Sequence, residues 1–100
     1  MLIAIVTFKT ATADRPKAIA TLLDEGRTVR AMPGCIRFQP LADPADDMQT
    51  ALLQEWFDEA AFAAYTASPG FADVGVILRP LMTEPPVSRR FAASLLATPD

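Results

Sequence analysis

Apolar positions open the chain almost without interruption. Leu2 to Phe8 is a nearly continuous hydrophobic run, rich in the branched side chains Ile3, Ile5, Val6 and Thr7, which predicts a strand. Apolar residues on both of its faces predict a central strand that needs a layer packed on each side. From Asp14, a suitable N-cap followed by Pro16, the period changes. Ile19, Leu22, Leu23 and Gly26, then Val29 or Arg30, follow a helical rhythm with one buried stripe, ended by Met32-Pro33-Gly34. Cys35 to Leu41 returns to a period of two, Ile36 and Phe38 against Arg37 and Gln39. After an acidic turn over 42–49, Thr50 to Phe57 sets Leu52, Gln54 and Trp56 on one face and Ala51, Leu53, Glu55 and Phe57 on the other. These two segments predict an antiparallel hairpin.

Asp58 caps a second expected helix, with Ala61, Phe62 and Tyr65 along one side, and Ser68-Pro69-Gly70 breaks it. Phe71 to Met82 has strand-like propensity at Val74, Val76 and Ile77 but helical spacing at Phe71, Val74, Leu78 and Leu81. It is taken as a short helix ended near Pro80. Beyond Glu84-Pro85-Pro86, Val87 to Leu95 predicts a last strand, and 96–100 a frayed tail. The order is βαββαβ with an extra short helix. That pattern is α+β and ferredoxin-like: a four-stranded antiparallel sheet with two main helices on one face, in one domain spanning 1–100.

Composition changes this picture only at the edges. One hundred residues, 51% apolar and 21% charged, suit a single folded domain. The apolar share is slightly high for the size, which points to surface covered by a second copy of the chain. Nine basic and twelve acidic groups leave a net charge of −3, with no basic stripe. Arg89-Arg90 is a pair rather than a patch, so nucleic acid is not an expected partner. A lone Cys35 excludes an internal disulfide. With no positively charged leader and no membrane-length apolar run, the expected location is cytoplasmic and no membrane is an expected partner.

Met32-Pro33-Gly34-Cys35-Ile36 opening the second strand, Trp56 ending the third and Ala60-Ala61-Phe62 in the next helix occur in a distinctive order. Ser68-Pro69-Gly70-Phe71, Pro80-Leu81-Met82 and Pro86-Val87 follow. In this the chain resembles the antibiotic biosynthesis monooxygenase family across nearly its whole length. The resemblance implies a homodimer packed sheet to sheet as a dimeric α/β barrel, with a small hydrophobic or aromatic ligand between sheet and helices. It implies oxygenation of a quinol, an anthrone or a polyketide-type substrate by dioxygen with no cofactor, neither metal nor flavin. The substrate's own anion then supplies the electrons, and the protein orients that anion in a dry pocket.

Family members commonly carry histidine where this chain has Tyr65 and Gly70, and glutamate where it has Gln54. There is no histidine or asparagine anywhere, which excludes a haem-degrading Asn/Trp/His set. The candidate catalytic residues are Trp56, a wall for a flat substrate, and Tyr65, a donor or, if ionised, a base. Thr7, Arg37, Gln39, Gln54, Phe62, Phe71 and Arg79 are the candidate substrate-binding residues. For Trp56 a plain packing role, for Tyr65 a helix position with its hydroxyl at the surface, and for Arg37 and Gln39 a solvated or inter-subunit face stay open beside the functional one. So does the alternative for the whole chain, a catalytically silent dimer that binds a small hydrophobic ligand or serves as a structural module. Asp43, Asp46 and Asp47 cluster in the acidic turn, but without histidine they do not suggest a metal site.

Overall fold

A computed structural model describes residues 1–97. Its strands are β1 (Leu2–Lys9), β2 (Cys35–Ala42), β3 (Gln49–Trp56) and β4 (Val87–Ala92). Its helices are α1 (Arg15–Val29), α2 (Glu59–Thr66) and α3 (Pro69–Leu78), with single 3-10 turns at Thr12–Asp14 and Arg79–Leu81. The four strands form one antiparallel sheet in the order β2-β3-β1-β4. The run with apolar residues on both faces is a central strand, as its pattern predicts. The fold is the α+β, ferredoxin-like one. The segment from Phe71 is helical, and α3, at ten residues, is longer than α2, at eight. The expected tail falls partly outside the described residues; 96 and 97 belong to no helix or strand.

Register fixes which side chains share a face. Phe38, Gln54, Ala4 and Arg90 form one row across the sheet, and Pro40, Leu52, Val6 and Ser88 the next. Both rows look toward the helices. The intervening rows hold Arg37, Glu55, Ile3 and Phe91, then Gln39, Leu53, Ile5 and Arg89, and they look the other way. Among the described residues no helix packs on that second face.

The stripe of α1 keeps Leu22, Gly26 and Val29 of the expected set and differs in the rest. Ala18, Leu22, Gly26 and Val29 are buried, while Ile19 is half-buried and Leu23 is exposed. Small residues let the helix lie close to the sheet: a Cβ on Gly26 would stand 3.3 Å from the Phe38 ring. Ile36 is exposed, because the β2–β3 pairing shifts register between Cys35 and Arg37. A bulge there turns Cys35 inward beside Trp56 and Ile36 outward.

Caps define the second half of the helical layer. The Asp58 carboxylate accepts the Ala61 N–H at 2.9 Å, and the Ser68 hydroxyl accepts the Phe71 N–H at 3.3 Å. Asp14 precedes α1 without a side-chain cap bond. Gly34 has φ +83°, and a Cβ there would lie 2.5 Å from the Ala61 Cβ. Its carbonyl accepts the Phe57 N–H at 2.7 Å, so a bare backbone joins the start of β2 to the start of α2. The acidic turn is held from both sides. Arg15 donates to the carbonyls of Asp43 and Asp46, and Lys9 pairs with Asp46 at 3.3 Å. The Asp43 and Asp46 carboxylates accept the Ala45 and Met48 N–H groups. No single helix among the described residues is long and apolar enough to cross a membrane.

Candidate functional site

Between the helix-facing side of the sheet and α3 lies a cavity of about 490 Å³. Val6, Phe8 and Leu52 supply its sheet side and Leu22 reaches it from α1. Phe62 and Tyr65 come from α2, and Phe71, Val74 and Leu78 from α3. The predicted residues Gln54, Phe62, Tyr65, Phe71 and Arg79 are therefore brought together around one space.

Three other predicted residues are separated from it. Strand alternation puts Thr7, opposite Ala51 and Val87, on the far face of the sheet. Arg37 and Gln39 are on that face too; the Arg37 guanidinium donates to Gln39 Oε1 at 3.0 Å and pairs with Glu55. A strand residue reaches only the side toward which its Cβ points, so the expectation that Thr7 shares the cavity is corrected, and for Arg37 and Gln39 the alternative of a face away from the ligand is the one that fits.

Trp56 needs a different correction. It is wholly buried, and the cavity wall does not include it. Its ring stacks on Tyr65 with centroids 5.5 Å apart and an interplanar angle of 18°, and meets Phe62 edge-on at 6.2 Å. Tyr65 also contacts Phe38 and Phe71 edge-on, at 5.8 and 5.5 Å. Tyr65 and Phe62 thus form the lining, and Trp56 is the backing that fixes them.

The Trp56 indole N–H donates to Gln54 Oε1 at 3.1 Å. An indole offers only a donor, so the Gln54 amide must present its oxygen to Trp56. Its nitrogen is left with two N–H groups. No protein acceptor takes them among the described residues, and the nitrogen is not sealed off. A buried, oriented amide donor therefore sits at the floor of an apolar cavity.

Burial pushes the Tyr65 hydroxyl well above the usual tyrosine range, and the nearby Glu25 and Cys35 add to the effect. Tyr65 stays protonated at neutral pH, so it can donate a hydrogen bond but not act as a base. Burial first, then Asp73 and Asp24, also raises the Glu25 carboxyl. Glu25 lies against α3: a Cβ on Gly70 would meet its Oε1 at 2.6 Å. Burial raises the Cys35 thiol as well, so it remains a thiol.

Sequence reasoning missed Arg90 and Ser88, which line the cavity from β4. The signal was present in the alternation of Val87–Ala92, which splits Arg89 and Arg90 between faces. The Arg90 guanidinium carbon lies 4.9 Å from the centre of the Phe62 ring, whereas Arg89 stacks on Phe91 at 5.1 Å.

A small α+β domain with a partly open, mostly apolar cavity and a few convergent polar groups defines a small-ligand-binding class. The chain belongs to the antibiotic biosynthesis monooxygenase family, whose pattern it matches over residues 1–74. No curated protein matches the sequence. Among solved structures it is similar to a Deinococcus radiodurans protein classed with the same monooxygenases. The TM-score is 0.90 at 17% identity, covering 100% of this chain and 99% of that one. A Caulobacter crescentus protein classed likewise has a TM-score of 0.88 at 20% identity, covering 94% and 90%. SnoaB, a cofactor-independent oxygenase from Streptomyces nogalater, has a TM-score of 0.79 at 23% identity, covering 95% and 94%. At these identities the likeness establishes the fold alone.

Proposed function

We propose that the protein oxygenates an electron-rich aromatic, a quinol or an anthrone-like polyketide, without a cofactor. The observation that carries this reading is the Gln54 amide, oriented by Trp56, with its N–H groups free at the floor of the cavity. Family membership and the SnoaB likeness set the reaction class.

In such a reaction the substrate's oxygen anion is the reductant. For an anthrone, a ring CH2 becomes C=O and the second oxygen atom leaves as water, so dioxygen takes all four electrons from the substrate. What this chain contributes is electrostatic and geometric. The Gln54 N–H groups stabilise the anionic oxygen as an oxyanion donor does. The Tyr65 hydroxyl, held neutral, is a second donor on the same cavity wall. Phe62 and Phe71 flank the ring system and give it apolar contact.

The decisive measurement is oxygen consumption with a panel of quinols and anthrones. Gln54→Glu keeps an acceptor for the Trp56 indole but replaces the free donor with a carboxylate. Its rate should fall by about 100-fold, with the fold intact by circular dichroism. No turnover above the buffer rate on any substrate would remove the reading. Since Tyr65 is driven upward and no histidine is present, no protein group lining the cavity should govern the rate near neutral pH. The rate should rise with pH along the substrate's own ionisation. Exchanging a substrate for one of lower pKa should move that limb down in parallel; a limb that stays put would reveal a protein base.

The same feature favours the second reading, a silent ligand-binding member of the family, because the lining holds no group suited to take a proton. Quenching of the single Trp56 by aromatic ligands without turnover would select it. In either case the open face of the sheet is read as the seat of a second copy, giving a homodimer. Ile3, Ile5, Leu53 and Phe91 lie there with no covering layer among the described residues.

A further inference from the structure

The protein as a whole is acidic, yet no carboxylate lines the cavity, and two arginines do. Arg90 belongs to the same cross-sheet row as Gln54, with Ala4 of β1 between them. Strands sit about 4.8 Å apart, so the two Cα atoms are separated by about 10 Å. The intervening Ala4 is covered by the core, and the amide and the guanidinium both reach the cavity on either side of it. Arg90 is steadied over Phe62 rather than by an acid. Arg79 comes from the end of α3 and folds back along that helix. A Cβ on Gly75 would meet its guanidinium at ordinary contact distances of 3.7–3.8 Å. Arg79 also borders a small outer pocket with Glu84, but no ion pair joins the two. Among the described residues neither cavity arginine has a carboxylate partner. The Ser88 hydroxyl lies one row beyond Arg90 on the same face.

The geometry points to an amphipathic acid as the ligand: a flat apolar body against Phe62 and Phe71, with a carboxylate held by Arg79 and Arg90. A second oxygen on the body falls to Gln54. This deepens the ligand-binding reading of the same cavity and rests on it. A planar carboxylate matches the forked guanidinium donors, and both arginines are exposed, so the pairing stays open to screening by salt. A neutral phenol of the same size would fill the walls and leave both arginines unanswered.

A matched pair of probes tests this in calorimetry, with Trp56 fluorescence as a second readout: 1-naphthol and 1-hydroxy-2-naphthoate. The carboxylate should bind the wild type about tenfold or more tightly than the naphthol, since a hydrogen bond to a charged group contributes on the order of one tenfold step or more. In Arg79→Met/Arg90→Met the preference should vanish while naphthol affinity stays within about twofold, because methionine keeps the apolar stems. Arg27→Met removes the same charge from the exposed face of α1 and should leave the preference intact. Raised salt should weaken the carboxylate more than the naphthol. Equal affinity for the two probes in the wild type, or a preference that survives in the double variant, would overturn the proposal while leaving the cavity reading in place. Equal loss of the preference in Arg27→Met would also overturn it, since the effect would then be one of overall charge. If neither probe binds, the cavity reading falls and the proposal with it.

Discussion

Both faces of the sheet carry apolar residues, with different consequences. Toward the helices, Leu2, Ala4 and Phe8 of β1 are buried against Phe38, Leu52 and Trp56 in one continuous core. Away from them, Ile3 and Ile5 lie only half-buried beside Leu53, and Phe91 and Val87 are exposed. Polar groups follow the same division. On the covered face Gln54 is oriented by a buried partner and keeps an unused donor. On the open face Arg37, Gln39 and Glu55 satisfy one another near solvent. A donor held in place and left free can act on a ligand, whereas a mutually satisfied set at the surface is suited to register and docking.

The comparison can be broken first on the covered side. Trp56→Ala removes the backing of Tyr65 and Phe62 and should cost about 3–5 kcal/mol in urea unfolding, with loss of ligand binding. On the open face, Ile5→Asp places a charge at the middle of β1 where a second copy is expected. In a homodimer the mass by light scattering should halve, as an unpaired charge buried at a contact costs several kcal/mol. A monomeric wild type at micromolar concentration would show instead that the face is simply tolerated. The smallest effect belongs to Arg37→Met. This half-exposed pair with Glu55 should change stability by less than about 1 kcal/mol and leave probe binding in the cavity unchanged. A large loss of binding there would mean that the two faces are coupled.

Much of this architecture was legible in the chain because strong periodicity and capping residues report local physics. The two-sided apolar run, the Asp58 cap and the helical spacing of Phe71, Val74 and Leu78 led to the right elements. The misreadings share one cause: local pattern does not reveal how closely or in what register elements meet. Ala18 looks weak by hydropathy, yet a small residue is what close helix–sheet packing requires, so Ile19 and Leu23 took its place beside Leu22 and Gly26 in the reading. Ile36 seemed to match Phe38 until the bulge after Cys35 turned it outward. Thr7 carries suitable chemistry, but the face it occupies was settled only by the β1–β3 register. Trp56 stood out by size. Its burial behind Tyr65 depends on the angle of α2, which no short motif encodes.

That angle leads back to Gly34. Its backbone presses against Ala61 one position before Phe62, so a residue with no side chain sets the pose of the aromatic lining from outside the cavity. For anyone redesigning the pocket, positions 34 and 61 form a seam to be left alone. Lining residues can be exchanged one at a time. A larger group at either seam position would instead tilt α2 as a lever, displacing Phe62 and Tyr65 together and changing the pocket's shape without altering a residue inside it.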